Sequence, residues 1–222
     1  MGTMIQSLPA SLFAVVVAGC ASIGNAASLP SGETRDWVTY RVDLGDQVLQ
    51  FAIPPGISED FLDPPVPQRI DLQNPNAFDE VGSAGILSRH WDYRKNGFAP
   101  HEGTLTAAIA VNFSEKPLDD LSALQGALRR QADLIYKQAV VRDPKYNGPP
   151  IPPLRFDPIK VAGRDGWYVS YRVLPSGYVV PLDKHHYLGI GVYNSVTRPD
   201  WREDAQAAAN AILNSIHIGP KS

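Results

Sequence analysis

The feature that most constrains this chain is its charge-free N-terminal segment. No Asp, Glu, Lys or Arg occurs before Glu33, whereas charged residues are spread over the rest of the 222 residues. Within this segment, residues 8–19 form an apolar run that is short for a span of about 30 Å of hydrocarbon. A run of this length is typical of the hydrophobic region of a signal peptide. We therefore assign residues 1–19 to a leader that does not belong to the folded domain.

The apolar run ends in Val17, Ala18, Gly19 and Cys20. This sequence resembles the lipobox of bacterial lipoproteins, which implies that Cys20 is acylated and becomes the mature N-terminus. Several acyl chains anchor a protein stably, since each buried methylene contributes about 0.8 kcal/mol. Cys20 is also the single cysteine of the chain and cannot form an internal disulfide. Residues 20–35 then predict an acylated cysteine with a flexible tether.

One observation at the N-terminus does not fit a leader, and an alternative stays open. The first nine residues contain no Lys or Arg, although signal peptides usually begin with a positive region. An unmodified cysteine at the end of a buried apolar helix would also explain the pattern.

The first half of the remaining chain has strand patterns interrupted by a long loop. Residues 37–44 and 48–53 are rich in β-branched and aromatic types and flank a Gly-Asp turn, which predicts a hairpin. Residues 86–94 and 104–113 predict two further antiparallel strands. The proline-rich segment 58–85 is longer than most loops in compact domains, so we expect it to be a binding insert.

The second half combines two helices with a second group of strands. Leucines at helical spacing predict a helix over 118–140, and the proline-rich segment 143–154 predicts a stiff surface loop. Strands are expected at 155–161, 166–174 and 187–193. A second helix opens after a Thr197 cap, and 215–218 forms a closing strand or tail. The prediction is a single α+β domain, 36–222, with an antiparallel sheet of about six to seven strands flanked by two main helices.

Two stretches carry a resemblance to a known fold. They are residues 51–56, Phe-Ala-Ile-Pro-Pro-Gly, and residues 208–216, Ala-Ala-Asn-Ala-Ile-Leu-Asn-Ser-Ile. With the element order, they resemble the PsbP-like fold, an antiparallel sheet between helices that is shared by photosynthetic extrinsic proteins and many bacterial periplasmic lipoproteins. Similar domains with similar leaders occur among immunity proteins that neutralise type VI lipase effectors. The resemblance implies an inhibitor that covers the active-site entrance of its enzyme and needs no catalytic residues.

The sequence carries no pattern that names a reaction. Neither Gly-x-Ser-x-Gly nor Ser-x-x-Lys occurs, the histidines lack helical metal-ligand spacing, and no glycine-rich phosphate loop is present. A net charge of −3 without a basic aromatic run argues against nucleic-acid binding. We expect no enzymatic activity, no metal and no cofactor. A hydrolase is the alternative, and a pocket that gathers His90 or His185 with a carboxylate would favour it.

Aromatic residues cluster in the C-terminal strands. Alternation places some of them at the surface beside arginines, a mixture favoured at protein interfaces, although ordinary strand propensity explains the same residues. Together with aromatic residues of the two proline-rich loops, the candidate partner-binding residues are Phe61, Phe78, Tyr146, Arg164, Arg172 and Tyr178.

These observations favour a lipid-anchored binding protein that faces the periplasm. Its partners would be the membrane, through the acyl chains on Cys20, and a protein, most specifically a type VI secreted lipase effector. The alternative is a housekeeping envelope lipoprotein with an accessory or ligand-binding role.

Overall fold

The computed structural model describes residues 32–54, 65–93, 102–143, 153–170 and 176–221. The predicted leader and Cys20 lie outside the described residues, and so do three of the candidate partner-binding residues, Phe61, Tyr146 and Arg172. Among the described helices, none is long and apolar enough to cross a membrane.

Nine strands and two α-helices make up the described part of the chain. In chain order they are β1 (Val38–Asp43), β2 (Gln47–Ile53), β3 (Ser83–Asp92), β4 (Thr104–Phe113), α1 (Leu121–Arg142), β5 (Arg155–Val161), β6 (Arg164–Ser170), β7 (Gly177–Pro181), β8 (His186–Asn194), α2 (Pro199–Ser215) and β9 (His217–Pro220). A single 3-10 turn, Pro75–Ala77, precedes β3.

The strands form two antiparallel sheets. One has the order β1-β2-β9 and the other the order β3-β4-β8-β7-β6-β5. The α+β class is confirmed. The number of sheets differs from the expected single one, because the closing segment is a strand that pairs with β2 and completes a separate sheet. Strand β7 was not predicted, yet it pairs with both β6 and β8.

Each face of the six-stranded sheet is covered by apolar residues. Alternate residues of β4, such as Ile109 and Val111, pack with the three-stranded sheet and with α2 on one face. Residues of opposite parity, such as Ala110, pack against α1 on the other face. Successive side chains of a strand point to opposite faces of the sheet, so β4 contributes to the apolar layers on both sides.

A buried polar chain fixes α1 to its face of the sheet. The Tyr187 hydroxyl donates to Gln131 Oε1 at 2.8 Å, and Gln131 Nε2 donates to Asn112 Oδ1 at 2.6 Å. Tyr187 and Asn112 are fully buried. An unpaired buried polar group lowers the free energy of unfolding. These hydrogen bonds therefore favour the position of α1 at which the three side chains are paired.

Both helices begin later than their sequence patterns indicated. Helix α1 starts at Leu121, because Asp120 is the N-cap and accepts from Ala123 N at 2.7 Å. Thr197 does not cap α2, contrary to the prediction. Its hydroxyl donates to the Glu102 carbonyl at 3.0 Å, and the N-cap is Arg198, which makes no side-chain cap bond.

Candidate functional site

A groove of about 650 Å³ opens at one end of the six-stranded sheet. Its lining comes from three places: the loop before β3, the last residue of β4, and the turn that leads into β8. These parts contribute residues between 72 and 82, Phe113, and residues 183–186. We call this cavity the His186 groove. Its volume lies within the roughly 300–1,000 Å³ of small-molecule sites.

Backbone hydrogen bonds hold the three parts of the groove together. Phe113 N donates to the Gly82 carbonyl at 2.8 Å, which ties the loop to the end of β4. In the β4 and β8 pairing, Phe113 stands opposite His186. The Asp79 carboxylate accepts from Val81 N at 3.0 Å and from Ser83 N at 2.9 Å, which shapes the loop. The site therefore consists of two paired strands and a loop that is hydrogen-bonded to the end of β4.

Aromatic rings form one wall of the groove. The Phe78 ring stacks on the His186 ring, with centroids 5.6 Å apart, and lies 6.1 Å from the Phe113 ring. Phe113 also contacts His185, at 6.2 Å between centroids. Although it is a phenylalanine, Phe113 is 43% exposed. An exposed aromatic at the rim of a cavity is a common feature of binding surfaces.

Asp183 and His186 form a hydrogen-bonded pair at the base of this wall. His186 Nδ1 lies 2.8 Å from Asp183 Oδ1 and 2.9 Å from Oδ2. The same carboxylate accepts the backbone N–H groups of His185 and His186 at 2.7 and 2.8 Å. Because a carboxylate is an acceptor, the Nδ1 atom carries the proton in this bond.

The other ring nitrogen of His186 is unsatisfied. Its side chain is only 5% exposed, and Nε2 is buried with no hydrogen-bond partner among the described residues. Leaving a buried polar atom unpaired costs about 1–3 kcal/mol. With the proton on Nδ1, the neutral form of His186 has a lone pair on Nε2. The residue that lines the groove thus holds a buried, unpartnered ring nitrogen next to the aromatic wall.

His185 does not continue the alternation of β8. Adjacent residues of one strand would face opposite sides of the sheet. Instead His185 lies in the turn before β8, and its Nδ1 is 2.9 Å from the Ser114 carbonyl oxygen. Both rings contact Phe113. In the described part of the chain no group of three or more His, Cys, Asp or Glu side chains has the arrangement of a metal site.

The three described candidate residues lie in different places. Phe78 lines the His186 groove. Arg164 spans the two sheets, donating to the Pro181 and Leu182 carbonyls at 3.0 and 3.1 Å and to Gln47 Oε1 at 2.7 Å. Tyr178 packs on another strand residue, Tyr168, with ring centroids 5.1 Å apart. Burial, and then the neighbouring Tyr168, raise the pKa of Tyr178 above its ordinary value.

No sequence pattern indicated that Phe113, Asp183 and His186 belong to one site. Phe113 ends a predicted strand, and its neighbour across the sheet comes from a distant part of the chain. A signal for the other two residues was present in the Asp-Lys-His-His run at 183–186, since an aspartate before a strand commonly caps a turn.

Comparisons with known proteins place few constraints on this chain. No protein family model and no curated protein matches it. Among solved structures, it is similar to "LpqN involved in cell envelope biogenesis of Mycobacterium tuberculosis", at 13% identity and a TM-score of 0.35, over 84% of this chain and 93% of that chain. A similarity at this level carries no argument about function. The resemblances to PsbP-like domains and to immunity proteins find no support in these comparisons and stay predictions.

Proposed function

We propose that this chain is a lipid-anchored binding protein of the bacterial cell envelope that engages a protein partner through the His186 groove. The observation that carries the binding role is the groove itself, where loop residues, an exposed Phe113 and a buried histidine meet in one cavity. The loop before β3 falls within segment 58–85, which the sequence marked as a binding insert. Its described part supplies the wall that contains Phe78.

The envelope location rests on the N-terminal sequence. The apolar run of residues 8–19 and its lipobox-like end at Cys20 support a lipoprotein, and diacylation would give a stable anchor. We expect Cys20→Ser to lose incorporation of an alkyne-labelled fatty acid and to leave the membrane fraction. Unchanged labelling of this variant would contradict the anchor.

The proposed role is non-catalytic. Asp183 and His186 resemble the base half of a hydrolytic triad, and His185 lies in the same groove as a carboxylate, the condition that would favour a hydrolase. A triad also needs a nucleophile on the far nitrogen of the histidine. Since Nε2 of His186 has no partner within the described residues, the pair lacks a positioned nucleophile. The groove therefore favours binding over covalent catalysis.

The most specific form of this proposal is an immunity protein that occludes a type VI secreted lipase effector. Occlusion requires shape complementarity and exposed anchor residues rather than reactive groups. The leader, the sequence resemblance and the exposed aromatic rim support it. A housekeeping envelope lipoprotein is the second candidate, and the volume of the groove, which suits a small ligand, favours it.

Co-capture with matched variants tests the proposal. The full-length chain with a C-terminal tag is coexpressed with the products of its neighbouring genes, secreted lipases included. Phe113→Thr removes the rim aromatic, and Tyr193→Thr is the matched control, because Tyr193 is 46% exposed and also lies on a strand of the same sheet. We expect Phe113→Thr to reduce capture of a neighbouring product about tenfold, the effect of losing a modest interface anchor. Equal capture by both variants would contradict binding at the groove.

A further inference from the structure

We propose that the His186 groove recognises a phenol group, an aromatic ring whose hydroxyl donates a hydrogen bond to His186 Nε2. This inference deepens the proposed function, on which it rests, by naming the chemistry that the groove accepts. In keeping with the proposed function, the phenol is that of a tyrosine side chain of the protein partner, and a small phenolic ligand is the other outcome that the test distinguishes. The two sources share the ring and the donor.

The requirement for a donor follows from the Asp183–His186 pair. Because Nδ1–H donates a hydrogen bond to the carboxylate, the ring in its neutral form offers only a lone pair at Nε2. That lone pair is buried and has no partner among the described residues. An O–H group satisfies it, whereas an ether or a ketone at the same place does not.

The requirement for an aromatic ring follows from the walls. Phe78 and Phe113 offer aromatic surface next to His186, and offset or edge contacts between rings are favourable. The volume of about 650 Å³ accommodates one ring with the chain that carries it. Charged ligands fit less well. The lining has two carboxylates, Asp79 and Asp183, against one ammonium group, Lys184, so its charge opposes an anion. Both carboxylates already accept hydrogen bonds from backbone N–H groups, which leaves them less available to a cation.

Nε2 is buried, so a ligand can reach it only if a neighbouring side chain moves. The Phe78 ring lies against the His186 ring, and it is only half-buried. We expect Phe78 to rotate away when the phenol enters, so that the ligand ring takes over its stacking contact.

Asparagine variants distinguish the role of Nε2 of His186 from that of Nδ1. In His186→Asn the amide nitrogen stands near the Nδ1 position, so the bond to Asp183 is retained while Nε2 is removed. His217→Asn is the control, because His217 is exposed on β9 and does not line the groove. The full-length chain is labelled with 13C-histidine, reconstituted in nanodiscs and titrated with p-cresol or with 4-methylanisole, its methyl ether.

We expect p-cresol to shift the His186 ring resonance saturably and to bind about tenfold more tightly than 4-methylanisole, the effect of one hydrogen bond. That preference should disappear in His186→Asn and persist in His217→Asn. Equal affinities for the two compounds in the wild-type chain, or a preference that survives His186→Asn, would overturn the proposal.

Competition identifies the source of the phenol. If p-cresol displaces the captured protein, the natural group is a tyrosine of the partner. If p-cresol binds at His186 while capture is unaffected, the natural group is a small phenol. A chain with no preference for p-cresol but with capture that depends on Phe113 refutes the phenol site alone. A chain that prefers p-cresol but captures its partner equally well with Phe113→Thr refutes the protein-binding role of the groove alone.

Discussion

Removing the Asp183 carboxylate tests whether it holds His186 in place. In Asp183→Ala, the Nδ1 proton of a ring that is 5% exposed loses its acceptor, and two backbone N–H groups of the turn lose theirs. An unsatisfied buried donor costs about 1–3 kcal/mol. In a protein of this size each kcal/mol lowers the Tm by about 2–4 °C, so the variant should melt about 2–12 °C below the wild type.

A double-mutant cycle with His186→Phe isolates the side-chain pair. In the His186→Phe background, Asp183→Ala removes only the two turn hydrogen bonds and should cost less. We expect a coupling energy of about 1 kcal/mol from chemical denaturation of the four chains. Asp165→Ala is the control, because the Asp165 side chain is 66% exposed and its ion pair with Lys160 should contribute less than about 1 kcal/mol. A coupling energy below about 0.5 kcal/mol would refute the argument that this pair fixes the tautomer of His186.

Three further perturbations test the fold around the groove. Tyr187→Phe leaves buried Gln131 Oε1 without its donor at 2.8 Å and should lower the free energy of unfolding by about 1–3 kcal/mol in urea denaturation. Gly166→Ala should destabilise by about 1–3 kcal/mol or more in the same assay, since a Cβ there would lie 2.2 Å from a carbonyl oxygen of β7. The hydrogen bond from Lys221 lowers the pKa of Asp43 below its ordinary 3.8, so its stabilisation is present above that pH and is lost as pH falls through the folded-state pKa. Asp43→Asn should therefore flatten the acid limb of the Tm profile, and an unchanged profile would contradict this.

Strands with a strong local pattern were predictable almost to the residue. The bounds of β4 and β5 agree with the predicted 104–113 and 155–161, and the first hairpin agrees within about a residue. The turn of that hairpin includes Gly45 at a φ of 90°, a conformation that glycine adopts readily. Local propensity and alternation suffice for such elements.

Strand β7 could not be found in the same way. It has only five residues, ends in a proline and follows a segment that reads as a turn. What makes it a strand is pairing with β6 and β8 on both sides, which is a property of the assembled sheet. Local pattern does not contain that information.

One part of the candidate site was predictable from local sequence, whereas the rest depends on contacts between residues that are distant in the chain. The loop that supplies Phe78 was predicted to be a binding insert from its length and proline content. The meeting of Phe113 with His186 depends on the pairing of β4 with β8. Arg164 was predicted to lie at a partner surface because arginines beside exposed aromatic residues are favoured at protein interfaces. In the structure it donates to carbonyl groups at the end of β7, a role that only the tertiary arrangement creates.

Site-specific photocrosslinking in living cells tests the central claim most directly. A photoreactive phenylalanine analogue replaces Phe113 at the groove, or Tyr193 on the same sheet, in the full-length, membrane-anchored chain. We expect a discrete crosslinked protein from position 113 and none of that mass from position 193. Crosslinks of the same mass and yield at both positions, or a discrete partner from position 193 alone, would contradict binding at the His186 groove.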